Sequence, residues 1–145
     1  MDTPSAILFA CTHNALRSPM AAGLMKHYHG RHVWVQSVGV RKGELDPFAV
    51  QVMDEIGIDI STHKPSRFED LEDSFFDLIV SLSPEAHHHA LEMTRNMSCD
   101  TLYWPTLDPS LIDGSRESVL EEYRAVRDQL QRRILQRFPL TVAVD

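Results

Sequence analysis

Eight residues near the start of the chain, Cys11-Thr12-His13-Asn14-Ala15-Leu16-Arg17-Ser18, put a thiol, a guanidinium and a hydroxyl into one short stretch. They follow the apolar run Ala6-Ile7-Leu8-Phe9-Ala10 and precede Pro19, which opens a segment with helical spacing. Strand, Cys-x5-Arg-Ser loop and helix, in that order, make an anion pocket around a sulfur nucleophile. Unpaired N–H groups at a helix N-terminus point into such a loop, and the helix dipole favours negative charge there. The same donors favour the thiolate, the nucleophilic form of cysteine. Arg17 adds a planar fork of donors matched to the oxygens of a phosphate-like group. The expected phosphate cradle is Thr12, His13, Asn14, Ala15, Leu16 and Arg17. A free cysteine is often only a small buried residue. Its place at the end of the first strand, ahead of Ser-Pro and a helix, argues for chemistry instead.

These residues need a scaffold that holds the loop at a strand end. Strands and helices alternate along the chain, which predicts an α/β fold with three layers, a parallel sheet with helices on both faces. The first strand spans about Ala6 to Ala10, and a helix runs from near Ser18 to Gly30 with Met20, Ala21, Leu24, Met25 and Tyr28 on one face. Val33–Val38 reads as the second strand. Asp46-Pro47 reads as the cap of a helix that continues to about Ile56 and stops at Gly57. Asp59 to Phe68 is irregular. Phe75–Val80 reads as a third strand, Ser83-Pro84-Glu85 starts a helix to about Asn96, and Thr101–Trp104 makes a fourth strand. A loop from Pro105 to Gly114 leads into a final helix from about Ser115 to Phe138, with Val119, Tyr123, Val126, Leu130 and Ile134 as its apolar stripe. In open α/β sheets ligands bind beyond the carboxyl ends of the strands. That edge would hold both Cys11 and Asp108.

At 145 residues, 1–145 reads as a single domain. A formal net charge of −7 argues against a nucleic-acid partner. No apolar run reaches the roughly 20 residues a membrane span needs, and Met1-Asp2-Thr3-Pro4 lacks the order of a signal peptide. Two cysteines make no disulfide framework, so a reducing cytoplasm is expected.

With these residues in view, the chain resembles the low-molecular-weight protein tyrosine phosphatase family, which includes the thioredoxin-coupled arsenate reductases. The loop is similar to that family's Cys-x-x-Asn-x-x-Arg-Ser. Ser37-Val38-Gly39 resembles its Ser-Ala-Gly, Glu55-Ile56-Gly57-Ile58-Asp59 with His63 its Glu-x-Gly-Ile-Asp and later histidine, and Asp108-Pro109 its Asp-Pro. The resemblance implies a four-stranded parallel sheet, a cysteinyl-phosphate intermediate and no metal or cofactor. It makes Cys11 the nucleophile, Arg17 the phosphate clamp and Asp108 the general acid and base. Ser18 would donate to the sulfur and Asn14 would hold the loop, asparagine tolerating a left-handed backbone. The implied substrate is a phosphotyrosine protein or a small phosphomonoester, with no oligomeric state fixed.

The chain also departs from the family. His13 stands where glycine is usual, Leu16 where phosphatases carry a second cysteine, and Ser110 where they place an aromatic residue. Asp108 to Gly114 and Tyr123 to Asp128 look closer to the arsenate reductases. The thioredoxin-coupled relay needs two further cysteines after the third strand, and Ser81-Leu82-Ser83-Pro84-Glu85 has none. Arsenate reduction here would require an external thiol or glutaredoxin, and that is the alternative reading. A third is a non-enzymatic phosphate- or phosphoprotein-binding module, favoured only if nucleophile or acid were missing.

Other features read as structural. His87-His88-His89 cannot converge on one ion from a helix, so His87 is expected to pack near Leu91 while His88 and His89 face water. Cys99 is expected to be a packed or partly exposed thiol. Glu44, Asp46, Glu69, Asp70, Glu72 and Asp73 are expected to form a solvated acidic rim.

Overall fold

All six residues of β1 (Ala6–Cys11) are buried. A strand covered on both faces needs a continuous apolar run rather than an alternating one, and Ala6-Ile7-Leu8-Phe9-Ala10 supplies it. The computed structural model describes residues 3–72 and 75–140. In it β2 (Trp34–Gly39), β3 (Leu78–Ser81) and β4 (Asp100–Tyr103) join β1 in one parallel sheet of order β2-β1-β3-β4. Successive β1 side chains feed two cores. Ile7, Phe9 and Cys11 pack with residues of α1 (Arg17–His29), α2 (Pro47–Asp54) and α4 (Arg116–Arg137). Ala6, Leu8 and Ala10 pack with Phe68, Phe76 and Ile79, and with Ala86 and Ala90 of α3 (Pro84–Met93). The expected three-layer α/β arrangement with a four-stranded parallel sheet is therefore present.

Several boundaries differ from the sequence expectation. β3 starts at Leu78 rather than Phe75. Phe76 is buried in the α3-side core, Phe75 is exposed, and the Asp77 carboxylate accepts from the amides of Ser5 and Ala6, fastening the start of β1. α2 ends at Asp54, two residues before Ile56, and Gly57 takes φ +79°, a left-handed turn that suits glycine. α3 ends at Met93 instead of Asn96, where the Thr94 hydroxyl donates to the Ala90 carbonyl at 2.8 Å. The irregular 59–68 stretch leads into a 3-10 turn at Phe68–Asp70, and Arg67 bridges to Gly39. Asp108 caps a second such turn, Pro109–Leu111.

The histidine run also packs differently. His87 stacks on Tyr103 with ring centroids 4.6 Å apart, not beside Leu91, and His89 stacks on Phe68 at 4.2 Å rather than facing water. Only His88 of the three is exposed. Among the described residues, no helix is long and apolar enough to cross a membrane.

Candidate active site

The loop between β1 and α1 is held by its carbonyls. Val40, Arg41, Gly43 and Asp46 donate their amides to the carbonyls of Cys11, Thr12, His13 and Ala15 at 2.8–3.1 Å. Met20 of α1 donates to the Leu16 carbonyl. With the carbonyls drawn outward, the amides of residues 12–16 make no hydrogen bond among the described residues. α1 begins with no side-chain cap and no acid in its first turn. A helix start left bare in this way is suited to an anion from outside the chain. Gly39 makes the packing possible: a Cβ there would lie 2.5 Å from the Arg41 carbonyl oxygen and 2.7 Å from the Asn14 amide nitrogen.

Asn14 is the one non-glycine residue with positive φ (54°) among the described residues, and it is fully buried. Its Oδ1 accepts from the Ser66 amide at 2.9 Å and lies 3.0 Å from His63 Nε2. An amide N–H can only donate, so this Asn14 atom is the oxygen and Nε2 of His63 carries the proton. Asn14 Nδ2 donates to Ser18 Oγ (2.8 Å) and Ser37 Oγ (3.0 Å). Ser18 Oγ then lies 2.9 Å from Cys11 Sγ and 3.3 Å from the Val38 carbonyl. With its lone pair engaged by Asn14, the Ser18 hydroxyl can donate to a thiolate, or to Val38 when the sulfur keeps its proton. Burial holds the His63 imidazole below its usual range, with nearby Lys26 adding to that direction and the Asn14 contact opposing it.

Arg17 is buried and anchored across the sheet edge: Nη1 donates to the Thr106 carbonyl at 3.0 Å, and Nη2 lies 3.8 Å from Asp108 Oδ2. Asp108 Oδ1 accepts from the amide and hydroxyl of Ser110 at 3.0 and 2.6 Å. One carboxylate oxygen is thus fixed by Ser110 while the other faces the guanidinium. Cys11, Arg17 and Asp108, 97 positions apart at the extremes, line one pocket of about 400 Å³.

Glu44 and Asp46 also line this pocket; Glu44 is exposed as expected of a solvated rim, whereas Asp46 is half-buried. Asp46 caps α2 through the Phe48 amide at 2.9 Å and accepts the Tyr123 hydroxyl at 2.5 Å. Burial, then this bond, raises the Tyr123 phenol well above its usual range. Phe48 meets Tyr123 edge-on at 5.4 Å. Asp70 instead pairs with Arg67, and Asp73 lies outside the described residues. Sequence reasoning missed the Asp46–Tyr123 contact and the use of the Thr106 carbonyl, since nothing local marks either. Cys99 is partly buried, and burial pushes its thiol up; no cluster that could hold a metal occurs among the described residues.

Residues 6–139 match the family model described as low molecular weight phosphotyrosine protein phosphatase. An arsenate reductase of Halalkalibacterium halodurans is 34% identical over 128 residues, spanning 88% of this chain and 91% of the relative. A solved arsenate reductase in a phosphate-binding state superposes with a TM-score of 0.76 at 27% identity, over 90% of this chain and 94% of its own. The arginine phosphatase YwlE of Geobacillus stearothermophilus does so with a TM-score of 0.73 at 28% identity, over 89% and 87%. The chain belongs to the low molecular weight phosphotyrosine protein phosphatase family.

Proposed function

We propose that this chain is a cytoplasmic enzyme that hydrolyses phosphomonoesters through a cysteinyl-phosphate intermediate. The observation that carries this reading is Asp108 beside Arg17 in the pocket of Cys11, because nucleophile, anion clamp and acid are then supplied by one chain. The Cys11 thiolate attacks phosphorus in line, forming the S–P bond as the P–O bond to the leaving group breaks. Arg17 and the amides of residues 12–17 take up the charge spreading onto the equatorial oxygens. Asp108 enters protonated and gives its proton to the departing oxygen, with Oδ2 the suited atom. Its carboxylate then takes a proton from water, whose oxygen displaces sulfur. Ser18 donates to the thiolate as it leaves. Phosphotyrosine proteins or small aryl phosphates fit a pocket walled by Phe48 and Tyr123.

A second reading is arsenate reduction, and the relatives' names favour it over hydrolysis. Cys11 would bond to arsenic as one arsenate oxygen leaves as water, an external thiol would attack the Cys11 sulfur to form a mixed disulfide, and arsenite would leave with the electron pair of the broken S–As bond. A second external thiol would reduce the mixed disulfide, so two thiols are oxidised for one arsenate reduced. Para-nitrophenyl phosphate turnover, run beside arsenate with glutathione and glutaredoxin, separates the two. Phosphate release without arsenite supports the hydrolase; arsenite without phosphate release supports the reductase.

A further inference from the structure

The last turns of α4 carry a feature that catalysis does not use. After Asp128 the helix has no acidic residue, yet it holds Arg132, Arg133 and Arg137 in a chain of net charge −7. Arg133 and Arg137 are four residues apart and so lie on one face. With Gln136 and the indole of Trp104 they line a groove of about 340 Å³. Nη1 of Arg137 is buried and has no hydrogen-bond partner among the described residues. Arg133 makes no hydrogen bond or ion pair among the described residues.

The helix dipole favours cations at this end, and Arg137 also lies over the Phe138 ring at 5.1 Å. Those effects account for arginines at a helix C-terminus. They do not account for the indole of Trp104 forming one groove with both arginine side chains. Trp104 is partly exposed and supported from behind by Phe9 and Phe138, each with a ring centroid 6.4 Å away. Two guanidinium groups beside a supported aromatic ring are suited to a flat ring bearing an oxyanion.

We infer that the groove between Trp104 and Arg133/Arg137 binds a small aromatic anion, its oxyanion on the two arginines and its ring on Trp104. It adjoins the loop that carries Thr106 and Asp108, but the inference rests on neither catalytic reading.

Trp34 and Trp104 are the only tryptophans, so Trp34→Phe leaves Trp104 as the reporter. In Trp34→Phe/Arg17→Ala protein, where the catalytic loop lacks its clamp, phenylphosphonate is titrated against Trp104 fluorescence, with inorganic phosphate in parallel. A saturable change is expected, with binding about tenfold or more weaker after Arg133→Gln/Arg137→Gln and weaker for inorganic phosphate than for phenylphosphonate. Absence of a saturable response would overturn the site, as would affinity indifferent to the two arginines. Equal affinity for inorganic phosphate would overturn the aromatic ligand. If Arg17→Ala fails to fold by circular dichroism, the same comparison is made in Trp34→Phe protein with Arg17 intact.

Discussion

Asn14 shows how much one side chain can hold. It combines a left-handed backbone with four side-chain contacts, to His63, Ser66, Ser37 and Ser18, the last reaching Cys11. Asn14→Gly removes the contacts but keeps the backbone free, whereas Asn14→Ala also forces an unfavourable φ. Urea unfolding is expected to place Asn14→Ala about 1 kcal/mol below Asn14→Gly, with both below wild type. Equal stabilities would mean that the backbone conformation costs alanine nothing. His63 adds a pH dependence whose sign follows from burial. Its folded value lies below 6.5, so the neutral ring stabilises the fold above about pH 6.5, and that stability is lost as pH falls from there through the folded value. Thermal unfolding of wild type and His63→Gln between pH 7.5 and 5 is expected to converge towards low pH. Parallel curves would remove His63 as the cause.

At the scale of elements, Asp46 joins three parts of the molecule. Its amide holds the Ala15 carbonyl, its Oδ1 caps α2, and its Oδ2 takes the Tyr123 hydroxyl from α4. Asp46→Ala is expected to cost about 1–2 kcal/mol through the lost cap and the stranded hydroxyl. Tyr123→Phe should cost about 0.5–1.5 kcal/mol, and the double variant less than the sum. Strict additivity in urea titrations would contradict the link. The sequence made the cap legible because Asp-Pro ahead of an apolar stripe is a local signal. It could not make the partner legible, since Tyr123 lies 77 positions away and its spacing marks it only as core. The same holds at β3, where Phe75-Phe76 has strand composition but the Asp77 contacts start the strand later. The packing of His89 is hidden from the sequence for the same reason, because its ring partner Phe68 comes from a segment with no periodic pattern.

Across the whole molecule, the alternation of strands and helices and the loop motif foretold that Cys11, Arg17 and Asp108 would meet, and they do. The sheet also separates the two thiols. Asp100 pairs with Leu78 and Leu78 with Ile7, so Cys99 is level with Ala6 while Cys11 ends β1. Five residues at about 3.3 Å each put them roughly 16 Å apart along the strands, far beyond the ~7 Å Cα separation a disulfide tolerates. Cys99→Ser should therefore leave turnover unchanged on either substrate, and intact-mass analysis after arsenate treatment should find no internal disulfide. A loss of two hydrogens with both cysteines linked would contradict this geometry.

The most direct measurement is para-nitrophenyl phosphate hydrolysis by wild type, Cys11→Ser and Asp108→Asn, with arsenate, glutathione and glutaredoxin supplied in a parallel reaction. Hydrolysis by wild type, abolished in Cys11→Ser and reduced about 10²- to 10⁴-fold in Asp108→Asn, is the predicted result. Arsenite release with no phosphate release from wild type would contradict the hydrolase and establish the external-thiol reductase in its place.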